Sequence, residues 1–352
     1  MAADGDDVSH AGANLELLEA ARRGDEDAYA RLVGPHRAQL HAHCYRMLAS
    51  APDAEDALQE ALLGAWRGLP RFEGRSSLRS WLYTIATNAC LKAIERRPKR
   101  ALPVDYGPAA DPHDGPGAPL VESVWVSPYP DREVVSTDPW SAPDARYQQR
   151  ESIELAFIAA LQQLPPRQRA TLILRDVLGF SAREAAAALD ITTASVNSAL
   201  QRAHRLVDER LPEQSQQAAL RALGDDALTE LVTSYVDAWE LGDLDAVVAM
   251  LAEDVTLTMP PMPTWFAGRA SVAGFFGRLP LRAGRRWRLL PVGLNGQVGF
   301  AHYGWDERAG CFLPHGVNVL ALKGPRISEI NAFLYPEDFT RFGLPDRLPG
   351  RG

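Results

Sequence analysis

The hydrophobic positions of the chain follow a helical period in two stretches and an alternating period in a third. Between about residues 15 and 100, and again between 151 and 211, apolar side chains recur every three or four positions, which predicts amphipathic helices. Beyond about residue 220 the pattern begins helical and then turns to short alternating runs punctuated by glycine and proline, which predict strands. Residues 101–146 are rich in proline, glycine and aspartate and lack periodicity, which predicts a linker.

These changes of pattern divide the chain into four segments. We predict a first all-α domain at residues 14–100, a linker at 101–147, a second all-α domain at 148–212 and an α+β domain at 218–345. A chain of 352 residues is too long for one ordinary core, which agrees with several domains. The strands predicted for the last domain are Val255–Met259, Arg286–Val292, Gln297–Tyr303, Gly316–Leu322 and Ile327–Leu334.

One predicted helix of the first domain separates an apolar stripe from a face that carries carboxylates. Asp53 is its candidate N-cap residue. The stripe consists of Ala54, Leu58, Ala61, Leu62, Ala65 and Leu69. The opposite face carries Asp53, Asp56, Glu60, Leu63 and Arg67, with Gln59 and Trp66 on its flank. A leucine and a tryptophan beside carboxylates favour a protein-docking surface, and an ordinary solvated face is the alternative.

The next predicted helix combines hydroxyl and aromatic side chains with basic surroundings. Ser76 or Ser77 is the candidate cap, and the predicted buried stripe is Leu78, Leu82, Ile85, Ala86, Ala89 and Ala93. The other side carries Ser80, Tyr83, Thr84 and Thr87, with Trp81 and Asn88 beside it. The basic residues nearby are Arg71, Arg75, Arg79, Lys92, Arg96, Arg97, Lys99 and Arg100. Aromatic rings stack on unpaired bases and guanidinium groups hold phosphates, so the pattern favours single-stranded DNA, with core aromatics and a solvated basic face as the alternative.

The second helical domain contains two helices joined by a short turn. Ser181 and Glu184 form a predicted capping box at the start of the first of these helices, and Thr193 caps the second. The buried stripe of the second helix is predicted as Val196, Leu200, Ala203 and Val207. Its outward side carries Ser198, Gln201 and Arg205, flanked by Asn197 and Arg202, which suit base edges in a major groove. The pattern predicts a helix-turn-helix, with a helical hairpin of a bundle as the alternative.

Composition and charge narrow the class of protein. The net charge of −8, taken alone, argues against a nucleic-acid partner. The charges are unevenly distributed, however: basic residues concentrate between Arg71 and Arg100 and acidic residues in the linker, so a nucleic-acid partner stays possible. Three cysteines without a C-x-x-C pair argue against a disulfide scaffold and favour a reducing cytoplasm. The acidic start, Met1–Asp7, lacks a secretory n-region, and no apolar run is long enough to span a bilayer.

Taken together, the two helical domains resemble an extracytoplasmic-function sigma factor of the sigma-70 family. The resemblance rests on Asp53–Trp66 and Phe72–Asn88 in the first domain, and on Leu164–Arg169 and the helix-turn-helix in the second. It implies a subunit that binds core RNA polymerase through the β′ clamp helices and the β flap, recognises promoter DNA and directs transcription initiation. It implies no cofactor and no metal, although His36, His41, His43 and Cys44 lie close together in the sequence.

The resemblance assigns roles to three sets of residues. Docking on core polymerase falls to Asp53, Asp56, Gln59, Glu60, Leu63 and Trp66. Recognition and melting of the −10 element fall to Arg75, Ser76, Arg79, Trp81, Tyr83, Thr84, Thr87, Asn88, Lys92, Arg96 and Arg97. The −35 element is assigned to Thr193, Ser195, Asn197, Ser198, Gln201, Arg202 and Arg205.

Two features depart from minimal members of that family. The linker is unusually long and carries Trp125, Tyr129 and Trp140 among acidic residues. It resembles the sigma linker that threads toward the RNA path of polymerase, where acidic residues would imitate nucleic acid, and a disordered tether is the alternative. The tail after about residue 218 resembles the cone-shaped fold of SnoaL-like polyketide cyclases and nuclear transport factor 2, and it is expected to regulate the sigma domains, with or without a separate anti-sigma protein.

Two alternative functions are also compatible with the sequence. An enzymatic cyclase or isomerase tail would use Asp254, His302, Asp306 or His315 for acid–base chemistry, although no pair of these residues has a diagnostic spacing. The aromatic residues Trp239, Trp265, Phe266, Trp287 and Trp305 are expected to line a core or a ligand pocket. A helix-turn-helix regulator that binds duplex operators without polymerase is the other reading, and the Asp53–Trp66 segment argues against it.

Overall fold

The computed structural model describes residues 15–120, 124–133, 150–334 and 339–350, which fall into two compact units. The first unit consists of Met1–Arg97 and Leu164–Leu206, and the second consists of Pro98–Gln163 and Val207–Gly352. The linker and the start of the second helical domain therefore belong to the same compact unit as the tail. Met1–Asp7 and Trp140 lie outside the described residues.

Helices build the first unit and cover the sheet of the second. In chain order they are α1 (15–22), α2 (Glu26–Val33), α3 (Arg37–Leu48), α4 (Ala51–Gly68), α5 (Leu78–Ile94), α6 (Leu155–Gln163), α7 (Pro166–Leu172), α8 (Ala182–Leu189), α9 (Thr193–Asp208), α10 (Gln216–Leu223), α11 (Asp225–Leu241), α12 (Leu244–Ala249) and α13 (Arg269–Arg278). A wider π-helical turn continues α7 to Val177. No helix in the described part of the chain is long and apolar enough to cross a bilayer.

The helix starts confirm two of the predicted caps and correct two others. Ser77 accepts a hydrogen bond from the Ser80 amide at 3.1 Å and starts α5. Ser181 and Glu184 form the complete capping box of α8. Asp53 does not cap α4, because α4 begins at Ala51 and its N-cap is Ser50. Thr193 is the first residue of α9 and not its cap, because the Thr192 hydroxyl accepts from the Ser195 amide at 3.1 Å.

The core of the first unit forms where α3, α4 and α5 pack together. The predicted stripe of α4 is buried at Ala54, Leu58, Ala61, Ala65 and Leu69, and Leu62 is half-buried. Helix α5 is buried on a wider arc than predicted, because α3 covers one side of it and α8 packs against another. This wider burial decides the environment of several residues expected to bind DNA.

The second unit contains a seven-stranded sheet in the order β2-β1-β6-β5-β4-β3, with β7 paired to β5. Strand β1 runs parallel to β6, and the other neighbours are antiparallel. The strands are β1 (Leu251–Thr258), β2 (Trp265–Ala267), β3 (Trp287–Leu294), β4 (Gln297–Asp306), β5 (Cys311–Lys323), β6 (Arg326–Leu334) and β7 (Leu348–Pro349). All five predicted strands are therefore present, and the sheet buries aromatic residues such as Tyr235, Phe266 and Phe300.

The linker follows a defined path over the second unit wherever it is described. Three of its backbone carbonyls accept side-chain hydrogen bonds: Gly107 from Trp265 at 2.7 Å, Pro116 from Thr264 at 2.7 Å and Pro112 from Arg278 at 2.6 Å. Further along, Trp125 and Tyr129 are buried. A disordered tether is therefore the wrong description of these residues, since specific contacts fix both their backbone and their side chains.

Candidate nucleic-acid and protein interfaces

The outer face of α4 presents most of the residues predicted to dock on a protein. Asp56, Gln59 and Glu60 are exposed, and Leu63 is 56% exposed although it is a large apolar residue. An exposed leucine between carboxylates fits a docking surface with a small apolar centre. The other two predicted docking residues, Asp53 and Trp66, are less accessible.

Asp53 and Trp66 contribute to structure within the first unit. Asp53 is 9% exposed and pairs with Arg97. Trp66 is half-buried and its ring packs edge-on against Tyr29, with 5.0 Å between the ring centroids. In this arrangement, the accessible part of the docking face runs along α4 from Asp56 to Leu63.

Ion pairs link the docking face to the basic residues at the end of α5. Arg97 contacts Asp53 and also lies 3.9 Å from Asp56, while Lys92 lies 2.9 Å from Glu60. The Lys92–Glu60 pair is more than half exposed, so it contributes only about 0–1 kcal/mol to stability. The Lys92–Glu60 pair is therefore weak enough to exchange for other contacts, whereas the Arg97–Asp53 pair is more deeply placed.

The predicted −10 residues divide into an exposed group and an interior group. The exposed residues are Arg75, Ser76, Asn88, Lys92, Arg96 and Arg97, and the half-buried ones are Arg79, Trp81 and Thr84. Tyr83 and Thr87 are 1% and 0% exposed, so their predicted place on an open face is wrong. Thr87 hydrogen-bonds to His43 of α3 at 2.9 Å, and the Tyr83 ring packs against His43 and Phe180. The pattern missed this because α5 has neighbours on two sides.

The helix-turn-helix also engages the start of α5 within the first unit. The Arg79 guanidinium donates to the Leu178 carbonyl at 3.0 Å and lies over the Phe180 ring at 4.6 Å from its centroid. Ser80 donates to Glu184 at 3.2 Å. Arg79 is therefore occupied by protein contacts in this arrangement, although its chemistry suits a phosphate.

Helix α9 presents every residue predicted to read the −35 element. Thr193, Ser195, Asn197, Ser198, Gln201, Arg202 and Arg205 are all exposed. Val196, Ala203 and Val207 are buried on the opposite side as predicted, while Leu200 is half-buried and Ala199 takes a buried place beside them. The chain passes from α8 to α9 through Asp190, which adopts a left-handed conformation with φ of 52°. The geometry is that of a helix-turn-helix with its second helix open to a groove.

The four candidate acid–base residues of the tail do not form one site. His302 is buried, and burial lowers its pKa to about 3, with a smaller effect from His315. Burial likewise lowers the pKa of His315 to about 4. Asp254 is exposed and pairs with Lys323 at 3.1 Å, and Asp306 accepts hydrogen bonds from two amides of its own turn. Both imidazoles are neutral at pH 7, and both aspartates have other partners.

The turn between β3 and β4 is a contact point that the sequence analysis missed. The Asn295 side chain accepts from the Tyr129 amide at 2.8 Å and donates to the Ile153 carbonyl at 2.7 Å. Gly296 donates its amide to Asp131 at 2.6 Å, and Gln297 accepts from the Leu155 amide at 2.9 Å. We call residues 294–297 the β3–β4 turn. It holds both the linker and the chain that leads into α6.

Glu154 completes this junction from the other side. It is 5% exposed and accepts hydrogen bonds from the amides of Gln216 and Gln217, at 3.0 and 2.8 Å, at the start of α10. Burial raises the pKa of Glu154 to about 7, against the lowering effect of these two amides. No sequence period marks this residue, because its partners are distant in the chain.

No group of three or more metal-ligating side chains is found among the described residues. The histidines considered as ligands have other surroundings: His41 lies 3.7 Å from Glu55, and His43 bonds to Thr87. Cys44 is fully buried.

Three family models match consecutive parts of the chain. Residues 32–100 match sigma-70 region 2, residues 154–206 match sigma-70 region 4 and residues 232–330 match a SnoaL-like domain. The order of the three matches agrees with the order of domains predicted from the sequence.

Similar proteins extend this comparison over most of the chain. The ECF RNA polymerase sigma factor SigG of Mycobacterium tuberculosis is 42% identical over 330 residues, which is 93% of this chain and 86% of SigG. The ECF RNA polymerase sigma-E factor of Escherichia coli is 26% identical over 195 residues, covering 55% of this chain and 92% of that protein. The crystal structure of the extracytoplasmic function sigma factor SigJ of M. tuberculosis shares the fold, with a TM-score of 0.56 and 22% identity, covering 90% of this chain and 99% of SigJ.

Proposed function

The chain belongs to the extracytoplasmic-function sigma factors of the sigma-70 family, and we propose which of its surfaces bind core polymerase, the −10 element and the −35 element. It is an RNA polymerase sigma factor, which binds core polymerase and promoter DNA and carries a SnoaL-like tail. The single observation that carries the assignment is the 42% identity to SigG over nearly the whole chain. Sigma factors as a family are not enzymes.

We assign core binding to the accessible face of α4, centred on Leu63. The −10 element is assigned to the exposed residues from Arg75 to Arg97, and the −35 element to the outward face of α9. Tyr83 and Thr87 stabilise the packing of α5 in this proposal, because both are buried. Residues Arg79 and Arg97 must leave their protein partners before they hold phosphates.

A reconstitution with core RNA polymerase tests the function directly. We expect the purified chain to form a complex with core and to support transcription from a subset of a promoter library. Leu63→Asp is expected to reduce core binding while leaving the fold intact, since Leu63 is 56% exposed. Absence of a complex between the wild-type chain and core would contradict the assignment.

Arg205→Ala tests the −35 surface. Arg205 is exposed on α9 and is expected to contact a base edge, so its loss should weaken promoter binding by the holoenzyme by about 1–3 kcal/mol and relax the preference at one position. Fluorescence anisotropy with promoter variants measures both effects. A smaller loss that is equal across sequences would instead mark a phosphate contact, and an unchanged affinity would remove Arg205 from the interface. Arg183→Ala, an exposed change on α8, is the matched control.

For the tail, we propose a regulatory role exerted through the linker. The supporting observation is that the β3–β4 turn holds Tyr129, Asp131 and the chain entering α6. A linker bound to the tail is not free to follow the path between promoter-binding domains that the family uses. The scattered positions of Asp254 and Asp306 support a role without catalysis, and we place the protein in the cytoplasm, where polymerase is found.

Two changes test the regulatory role. Truncation after Gln217 removes the tail, and Asp131→Ala removes one linker contact while keeping the rest of the chain. Because Asp131 accepts from the Gly296 amide, its loss should loosen the linker and change transcription in the same direction as truncation, to a smaller extent. Equal promoter activity of truncated and full-length proteins, in cells and in vitro, would contradict the proposal.

A further inference from the structure

The turn that leads from α13 into β3 carries an unneutralised cluster of positive charge. Arg278, Arg282, Arg285 and Arg286 are all exposed, and they lie within nine consecutive positions. None of the four forms an ion pair with a carboxylate among the described residues. Their neighbour Arg288, by contrast, pairs with Glu240 at 2.7 Å. We call these four residues the arginine turn.

Contacts within the second unit hold parts of the arginine turn in place. The Arg286 guanidinium lies over the Trp305 ring at 4.3 Å from its centroid, and Arg285 lies over Trp287 at 5.6 Å. Arg278 donates to the Pro112 carbonyl at 2.6 Å. Stacking restrains a guanidinium without neutralising its charge, so less conformational freedom remains to be lost when an anion binds.

The carboxylate of Asp306 is held by hydrogen bonds within its own turn. Asp306 follows Trp305 directly, and its carboxylate accepts from the amides of Arg308 and Ala309 at 2.9 and 2.8 Å. In a chain of net charge −8, four guanidinium groups that lie within nine positions and have no carboxylate partner among the described residues repel one another. A bound polyanion removes that repulsion and accepts the bidentate hydrogen bonds that guanidinium groups donate.

We propose that the arginine turn binds backbone phosphates of promoter DNA and gives the SnoaL-like tail a direct, sequence-independent share in promoter affinity. DNA fits this surface better than a protein does, because the aromatic rings beneath the arginines are largely covered. Trp287 is 4% exposed, and Leu279, at 38%, is the one exposed large apolar side chain in the described part of this turn. Protein interfaces are built around an apolar centre, whereas phosphate contacts need only correctly placed donors.

The double variant Arg282→Ala/Arg285→Ala tests the proposal in the holoenzyme. We expect promoter affinity to fall by a factor on the order of 10 near 0.1 M salt, equally for promoters with unrelated flanking sequences. The slope of log K against log salt should become shallower by about 2, or nearly one unit for each lost phosphate contact. Fluorescence anisotropy over a range of salt concentrations gives both quantities.

Two control variants separate charge at this turn from charge in general. Lys323→Ala/Arg326→Ala removes two exposed cations from the β5–β6 turn and should leave the slope unchanged. Arg282→Lys/Arg285→Lys keeps the charge and should keep most of the slope. Hydrogen exchange in β3 and β4 verifies that each variant is folded.

Two results would overturn the proposal. The first is an alanine variant that is folded and has the wild-type salt dependence. The second is a loss of affinity for core polymerase with DNA affinity unchanged, which would identify an acidic protein surface as the partner. The proposal rests on promoter binding by the chain, and the wild-type reconstitution tests that function separately, since it can succeed while this variant shows no effect.

Discussion

Asn295→Ala is expected to lower the free energy of unfolding of the second unit by about 3–5 kcal/mol. The side chain of Asn295 is fully buried and bonds to the Tyr129 amide and the Ile153 carbonyl. Its removal leaves two backbone groups without partners in the interior, and each such loss costs about 1–3 kcal/mol. Asn295 also has a φ of 55°, which asparagine tolerates better than alanine.

Urea denaturation followed by tryptophan fluorescence measures this loss. Asn318→Ala is the matched control, because Asn318 is also buried and its side chain makes a longer bond, 3.4 Å, to the Tyr235 hydroxyl. We expect the control to lose less than half as much. Hydrogen exchange should also rise at residues 124–133 in Asn295→Ala and remain low in Asn318→Ala. Equal losses for both variants, without a linker effect, would show that the β3–β4 turn does not hold the linker.

The contrast between α4 and the β3–β4 turn explains which features the sequence could predict. The apolar stripe of α4 from Ala54 to Leu69, the capping box at Ser181 and the outward residues of α9 follow from spacings of three or four positions. Local spacing also predicted the strands of the tail. These features depend on neighbours in the chain, and the structure confirms their placement.

Features that depend on distant partners were missed. Tyr83 and Thr87 have the spacing of an outward face, yet His43 and Phe180 cover them. In the sequence Asn295 looks like an ordinary turn residue. Its role in holding the linker depends on Tyr129, which lies 166 positions away. The same holds for the arginine turn. Its basic character is visible in the sequence, but the sequence does not show that the described residues offer it no carboxylate partner.

Acidification should change the stability of the second unit through two titrations with opposite effects. The pKa values of His302 and His315 are lowered by burial from an ordinary value near 6.5 to about 3 and about 4. Above pH 6.5 the imidazoles are neutral in both the folded and the unfolded state. As the pH falls below 6.5 the unfolded state binds protons that the folded state does not, so each imidazole lowers the free energy of unfolding by about 2 kcal/mol at pH 5. Glu154 acts in the opposite direction. Its pKa is raised to about 7, so its protonation stabilises the folded state by about 2–3 kcal/mol between pH 7 and pH 5.

Glu154→Gln separates the two effects. The wild-type protein should lose only about 1–2 kcal/mol between pH 7 and pH 5, because the glutamate offsets the histidines, whereas Glu154→Gln should lose about 4 kcal/mol. Hydrogen exchange in β4 and β5, corrected for the intrinsic rate at each pH, reports on the second unit alone. His302→Gln should change little in stability over the same range, because the loss of about 2 kcal/mol at His315 nearly balances the gain at Glu154. Parallel pH profiles for the wild type and Glu154→Gln would mean that Glu154 titrates near its ordinary value. The junction at α10 would then be insensitive to pH between pH 7 and pH 5.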